Sequence, residues 1–354
     1  MAADPSTPTL SLRDLTVEIP VRDAVVRPVN AVSFDIAPGE ILGVVGESGA
    51  GKSMTGSAAI GLIEPPGRIA SGSVWLSGER IDHLPHEQLR RIRGARIGTV
   101  FQDPMASLNP LFTVGEQLEE TILTHLPVDR AGAKRRAIAA LDEVGIPAAE
   151  SRYDAYPHEF SGGMRQRVVI ALALAGEPEL VIADEPTTAL DVSVQAQIVA
   201  LLRRLCRERG VAVMLITHDM GVIAETVDRV AVMYAGRLIE LGPVEEVVAR
   251  PKHPYAEGLM GATPSAAALA DAGEAAPRLR QIPGAMPGLT AIPPGCAFHP
   301  RCASRFDPCD RELPPSFDTP SGRVACWRYD PANPAAGDAG ADPAVLRPAT
   351  GTPA

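Results

Sequence analysis

Cysteine, long apolar runs and excess positive charge are all scarce in this 354-residue chain. Only five cysteines occur, and four of them lie between residues 296 and 326. No apolar stretch approaches the roughly 20 residues that cross a bilayer; VVIALALAG and VAVMLI are about half that length. Thirty-three basic residues against 43 acidic ones give a net charge of −10. That balance argues against nucleic acid as the main partner, because such proteins present a basic face. The start, MAADPSTPTLSLRD, has neither a basic n-region nor an apolar h-region, so no signal peptide is expected. The chain is therefore expected in the cytoplasm, where thiols stay reduced and disulfides are disfavoured.

What is present supports a globular protein. Hydrophobic residues make up 45% of the chain, and the length suits one large domain with an appendage. The runs ILGVVG (41–46), ELVIAD (179–184) and VAVMLIT (211–217) are short and continuously apolar, as strands buried on both faces should be. Between the last two, Ile198, Leu201, Leu202 and Leu205 mark one helix face, and Gly210 marks its stop. Strand, helix and strand in this order imply a right-handed crossover in a mainly parallel sheet. Residues from about 104 to 160 carry helical periodicity (Ile138, Leu141, Val144) without a buried-strand run, which reads as a helical insert. After about residue 250 strand signals fade; PSAAALADAGEAAP reads as a linker, and the last residues read as a disordered tail.

The chemistry concentrates in two places. GESGAGKS (46–53) fits the phosphate-loop pattern between a buried strand and a helix. Gly46, Glu47, Ser48, Gly49, Ala50 and Gly51 would turn backbone N–H groups around a phosphate. Lys52 would reach the β- and γ-phosphates, and the Ser53 hydroxyl would bind Mg²⁺. LVIADEP (180–186) ends a strand in two carboxylates. Asp184 is placed to hold Mg²⁺, and Glu185 to polarise the attacking water.

With Gln102 in VFQDP, FSGGMRQR (160–167), ADEPTTALD (183–191) and His218 in LITHD, these motifs stand in the order found in ABC-transporter ATPase subunits, which the chain resembles. The resemblance implies an α/β P-loop NTPase of ABC type: a RecA-like core with a helical subdomain. It also implies ATP and Mg²⁺ as cofactors. By the same likeness Gln102 senses Mg²⁺ and the γ-phosphate, and His218 contacts that phosphate. Ser161, Gly162 and Gly163 would face a nucleotide held by a partner subunit, and Asp191 would cross the dimer interface.

YPHEFSGGMRQR through DVSVQAQI, together with HPYAEGLM and the later GCAFHPRC, further resembles the D-type ATPase subunit of dipeptide and oligopeptide importers. That likeness implies an ATPase domain at 1–250 (its helical subdomain at about 104–175), an importer-type C-terminal segment at 251–330 and a tail at 331–354. Expected partners are a second ATPase (the F-type subunit or a second copy), two membrane permeases and a periplasmic or extracellular substrate-binding protein. The expected place is peripheral, on the cytoplasmic face of the inner membrane. Nickel-complex or glutathione uptake, and a soluble ABC ATPase of repair or translation, are the competing readings; the latter lacks both long coiled coils and a second cassette here. One departure stands out: VEIPVRDAVVRP carries no aromatic to stack on adenine, leaving Ile19 or a nearby valine for the base.

Five, six and sixteen residues separate Cys296, Cys302, Cys309 and Cys326. Without a tight C-x₂₋₄-C pair this spacing fits zinc poorly, whereas four thiolates in a loop-rich segment suit an iron–sulfur cluster. The resemblance implies a [4Fe–4S] cluster on these four, giving a small Cys-containing C-terminal lobe. His299 reads as a loop residue, and Cys206 as core.

Overall fold

The structure, a computed structural model, describes residues 7–188, 190–262 and 281–332. The expected linker at 264–277 and nearly all of the expected tail lie outside these residues. The chain opens with β1 (Leu10–Val21), β2 (Ala24–Ile36) and β3 (Ile41–Val45), then α1 (Lys52–Ala59). Next come β4 (Arg68–Leu76), β5 (Glu79–Arg80), α2 (His86–Ile92) and β6 (Ile97–Val100). A helical stretch follows: α3 (Pro104–Ser107), α4 (Val114–His125), α5 (Arg130–Glu143), α6 (Ala149–Arg152) and α7 (Gly162–Leu174). The chain then alternates through β7 (Leu180–Asp184), α8 (Val192–Arg209), β8 (Ala212–Ile216), α9 (Met220–Thr226), β9 (Arg229–Tyr234) and β10 (Arg237–Pro243). It closes with α10 (Val244–Ala249), α11 (Pro254–Gly261), β11 (Phe317–Thr319) and β12 (Gly322–Val324).

The three continuous apolar runs form β3, β7 and β8, neighbours in an eight-stranded sheet ordered β11-β12-β10-β9-β3-β8-β7-β6. From β9 to β6 all pairings are parallel. Alternate residues explain why these runs are apolar throughout. Leu42, Val44, Leu180 and Ile182 enter one core with α1 and the antiparallel sheet β2-β1-β4-β5. Ile41, Val45, Val181 and Ala183 enter a second core with α4, α5, α7 and α8. Helix α8 buries the expected face, Ile198, Leu201, Leu202 and Leu205, and stops at Gly210 in the left-handed conformation. Helices α3 to α7 fill the stretch between β6 and β7, with Leu141 and Val144 buried.

Two features differ from the sequence reading. The first is the antiparallel sheet at the start, whose strands of 12 and 13 residues pair with repeated register shifts. Those shifts break the alternation that would have identified it. The second lies in the C-terminal segment, where strand signals fade yet β12 extends the main sheet by pairing with β10. Three-residue strands carry no readable period; the open edge of β10 recruits them.

The C-terminal segment is anchored at Glu240 on β10, which is 2% exposed. Its carboxylate accepts the N–H groups of Lys252, at 2.9 and 3.1 Å, and His253, at 2.9 Å. Burial outweighs those donors and pushes the Glu240 carboxyl up to about 7, from 4.5. Stability from this group is thus fully present below its unfolded value and is lost as pH rises through 7. Glu240→Gln is expected to remove on the order of 3 kcal/mol of pH dependence. Denaturant unfolding of wild type and variant at pH 5 and pH 8 checks it; parallel losses in both would refute the role.

Candidate nucleotide-binding and hydrolysis site

Four neighbouring parallel strands end close together, and chemistry follows within two residues of each end. Val44, Ile216 and Asp184 lie side by side in register, and Val100 pairs with Ala183 one residue below. The next steps along these strands are the phosphate loop, His218, Glu185 and Gln102. The loop bends where only glycine fits. At Gly51 φ is +103°, and a Cβ would sit 2.1 Å from the Pro28 carbonyl oxygen. At Gly46 φ is +152°, with the Met233 oxygen 2.3 Å from the same imagined atom.

Inside the loop, Lys52 is buried and its ammonium donates to the carbonyls of Gly46 at 2.8 Å and Glu47 at 3.0 Å. Burial pulls its pKa below the ordinary lysine value, while Glu185, Asp184 and Glu47 oppose that pull and favour the charged form. The Ser53 hydroxyl donates to Asp184 Oδ1 at 2.9 Å. Burial raises the Asp184 carboxyl above its usual range; Ser53 and Lys52 work against this and Glu185 adds to it. A hydroxyl and a carboxylate that already meet are an all-oxygen donor pair, the kind Mg²⁺ takes.

Glu185 is clamped. Its φ is +46°, a left-handed conformation that costs a non-glycine residue about 1 to 3 kcal/mol. Its N–H donates to the Ile216 carbonyl at 2.8 Å. Its carboxylate accepts from Thr188 Oγ1 at 2.9 Å and Gln102 Nε2 at 3.2 Å, and stands 3.2 Å from His218 Nδ1. Glu185 is thus brought together with Gln102 and His218, and strand β7 carries Asp184 beside it. Thr188 was not anticipated; it lies in the same acidic turn, three residues on.

Ser161, Gly162, Gly163 and Asp191 form a separate group. Ser161 caps α7, accepting the Met164 N–H at 3.4 Å, and Asp191 stands at the N-terminus of α8. A Cβ on Gly163 would lie 2.7 Å from Val194 on α8, so the two helix starts abut. Ser161, Gly162 and Asp191 are exposed. Among the described residues, no hydrogen bond joins this group to the phosphate loop.

A family profile described as ABC transporter matches residues 29–188, and one described as oligopeptide/dipeptide transporter, C-terminal region, matches residues 239–309. The dipeptide transport ATP-binding protein DppD of Bacillus subtilis is 44% identical over 91% of this chain and 95% of its own. The oligopeptide transport ATP-binding protein OppD of Salmonella typhimurium is 46% identical over 92% and 96%. The chain belongs to the oligopeptide/dipeptide family of ABC-transporter ATP-binding proteins. Among solved structures, a dimeric ATP-binding cassette with ADP and phosphate aligns at TM-score 0.60 and 28% identity, over 66% of this chain and 98% of that one. A cassette from an ABC transporter complex of Clostridium perfringens also aligns at 0.60, covering 69% and 92%. The fold is thus the ABC-type P-loop NTPase, and the site that of an ATPase using ATP and Mg²⁺.

In this ABC ATPase the β1–β2 hairpin pairs Ile19 with Val26 and leaves Val21 and Val25 exposed. No helix among the described residues is long and apolar enough to cross a membrane. Cys206 is buried on α8, and burial pushes its thiol up to about 12, as suits a core residue. The other four cysteines line one small cavity with His253, Phe298, Phe306 and Trp327. Burial raises the Cys296 thiol, pushes Cys302 to about 11 and Cys326 to about 12. His299 holds its Nδ1 3.0 Å from the Cys296 carbonyl, in a short turn. Among the described residues, no three His, Cys, Asp or Glu side chains form a group able to hold a metal ion as they stand.

Two residues that touch the loop escaped the sequence reading. Tyr255 and Arg301, both from beyond residue 250, bind Glu47, so the Glu47 N–H points at Tyr255 and is already satisfied. No local pattern near either residue signals this. Gly51→Ala is expected to lower nucleotide affinity at least about tenfold and to cost about 1 to 3 kcal/mol of stability. Nucleotide titration and thermal unfolding check it; wild-type affinity would show that the loop tolerates a side chain there.

Proposed function

We propose that this chain is the motor subunit of a peptide importer, hydrolysing ATP to drive uptake of dipeptides or oligopeptides. One observation carries the reading: the phosphate loop with its carboxylates and an oligopeptide/dipeptide-type C-terminal region sit on one chain. The named relatives, DppD and OppD, are dipeptide and oligopeptide transport proteins.

The chemistry follows from the side chains. Lys52 and the loop N–H groups hold the β- and γ-phosphates. Ser53 and Asp184 take Mg²⁺, which offsets charge on the phosphate oxygens. Glu185 orients the water in line with the γ-phosphate and accepts its proton as attack proceeds. Gln102 and His218, both against its carboxylate, link that event to the strand ends they occupy. The exposed start of α7 (Ser161 to Gly163) meets the γ-phosphate on a second ATPase, either a second copy or an F-type subunit. Asp191 lies at the same contact. ATP favours the closed pair, and hydrolysis reopens it.

Because the described residues hold no spanning helix, two permeases supply the channel, and the chain works peripherally at the cytoplasmic face of the inner membrane. Phe101, Met105, Leu111 and Phe112, between β6 and α4, are 49–80% exposed and give those partners an apolar surface. The four cysteines would hold a [4Fe–4S] cluster, losing their thiol protons as the thiolates ligate its irons. Such a cluster adds cross-links to a lobe with few apolar residues of its own.

Glu185→Gln is expected to keep ATP binding within about twofold and to cut turnover at least about a hundredfold; wild-type hydrolysis would remove the role given to Glu185. Affinity purification from membranes should bring down two permease proteins, whereas recovery on ribosomes or DNA would overturn the importer reading. Anaerobically purified protein should contain iron and sulfide, lost in Cys302→Ser. Zinc in their place would refute the cluster.

A further inference from the structure

The C-terminal lobe grips a side chain of the phosphate loop through a buried guanidinium. Arg301, whose side chain is 7% exposed, makes two parallel bonds to Glu47: NH1 to Oε2 and NH2 to Oε1, each at 3.0 Å. Its remaining donors are also directed. Nε donates to the Pro283 carbonyl at 2.8 Å, NH2 reaches the Gly284 carbonyl at 3.4 Å, and NH1 reaches Tyr234 Oη at 3.3 Å. Tyr255 Oη accepts the Glu47 N–H at 2.7 Å. Beneath the guanidinium, Tyr234, Tyr255 and Phe298 pack with ring centroids 4.6 to 5.5 Å apart. Further along the loop, Met286 lies over Gly49, where a Cβ would be 2.9 Å from its methyl carbon.

Glu47 is therefore held at its backbone and at its side chain by residues remote in sequence. Its carbonyl is one of the two that hold the Lys52 ammonium, and Gly46 before it supplies the other. A bidentate arginine–carboxylate pair removed from water fixes orientation as well as position. Its anchor is firm, since Arg301 sits between Phe298 and Cys302, which both line the cysteine cavity.

We propose that Arg301 is a positioning residue of the ATPase: through Glu47 it sets the shape of the phosphate loop and the place of Lys52. The C-terminal lobe is then part of the nucleotide site. The loop N–H groups grip the β-phosphate that ATP and ADP share, and Lys52 also reaches the γ-phosphate of ATP, whereas Glu185, Gln102 and His218 act from other strand ends. Loss of the clasp thus weakens both nucleotides, ATP at least as much as ADP, and shows first in binding.

The test is a double-mutant cycle on the full chain with Arg301→Met and Glu47→Gln. ATP and ADP affinities are measured by equilibrium titration, and KM and kcat in the assembled transporter. Each single change is expected to raise both dissociation constants and KM about tenfold, the size of one charge-assisted contact. The double change should be no worse than either single one, because both break the same contact. Arg301→Lys should fall between wild type and Arg301→Met, since an ammonium keeps the charge and loses the fork. Unchanged affinity in both singles, additive losses, or a fall in kcat at constant KM would each overturn the proposal. If Arg301→Met fails to fold, Glu47→Gln decides alone, because it leaves the lobe's own chain intact: wild-type affinity and KM in that variant refute the clasp.

Discussion

Everything in the site depends on the in-register parallel pairing of β3, β8, β7 and β6. Parallel strands all point the same way, so their carboxyl ends crowd one edge of the sheet. Because Val44, Ile216 and Asp184 stand level, the following residues emerge within reach of one another. Crevices outside the carboxyl ends of parallel strands are where open α/β sheets bind ligands. A slip of one residue in any pair would exchange side chains between the two cores and separate Glu185 from Gln102 and His218.

Charge balance in the site follows from the same crowding. Three carboxylates and one lysine share a half-buried space, where burial lowers the Lys52 pKa and Glu185, Asp184 and Glu47 oppose that pull. Asp184 is pushed the other way, by its own burial and by Glu185. A cation at Asp184 and Ser53 would relieve that repulsion. The backbone strain at Glu185 belongs to this arrangement: a left-handed residue turns its carboxylate back across the strand end, where Thr188 holds it.

The C-terminal lobe is built into the cassette. Strand β12 joins the main sheet at β10, Arg328 pairs with Glu257 at 3.0 Å, and Lys252 Nζ donates to Ser321 Oγ at 2.8 Å. A segment rich in proline and glycine has little apolar surface with which to fold alone. It gains order from the sheet edge, from Glu240 and from the aromatic cluster under Arg301. Of these contacts, the Arg301 clasp and the Tyr255 hydroxyl beneath it reach a residue of the phosphate loop.

Much of this was legible in the chain. Period-free apolar runs identified β3, β7 and β8, since burial on both faces leaves no polar side. GESGAGKS and ADEP named the phosphate loop and its carboxylates, because phosphate and Mg²⁺ binding demand particular residue types at short spacing. Such signals are local, and sequence records local constraints well. The bulged antiparallel sheet, β12, Thr188 at Glu185, and the Tyr255 and Arg301 grip on Glu47 were decided by the tertiary structure. Arg301 lies 254 residues from Glu47, and an ion pair over that separation leaves no periodicity to read; only packing brings the two charges together and removes the water between them.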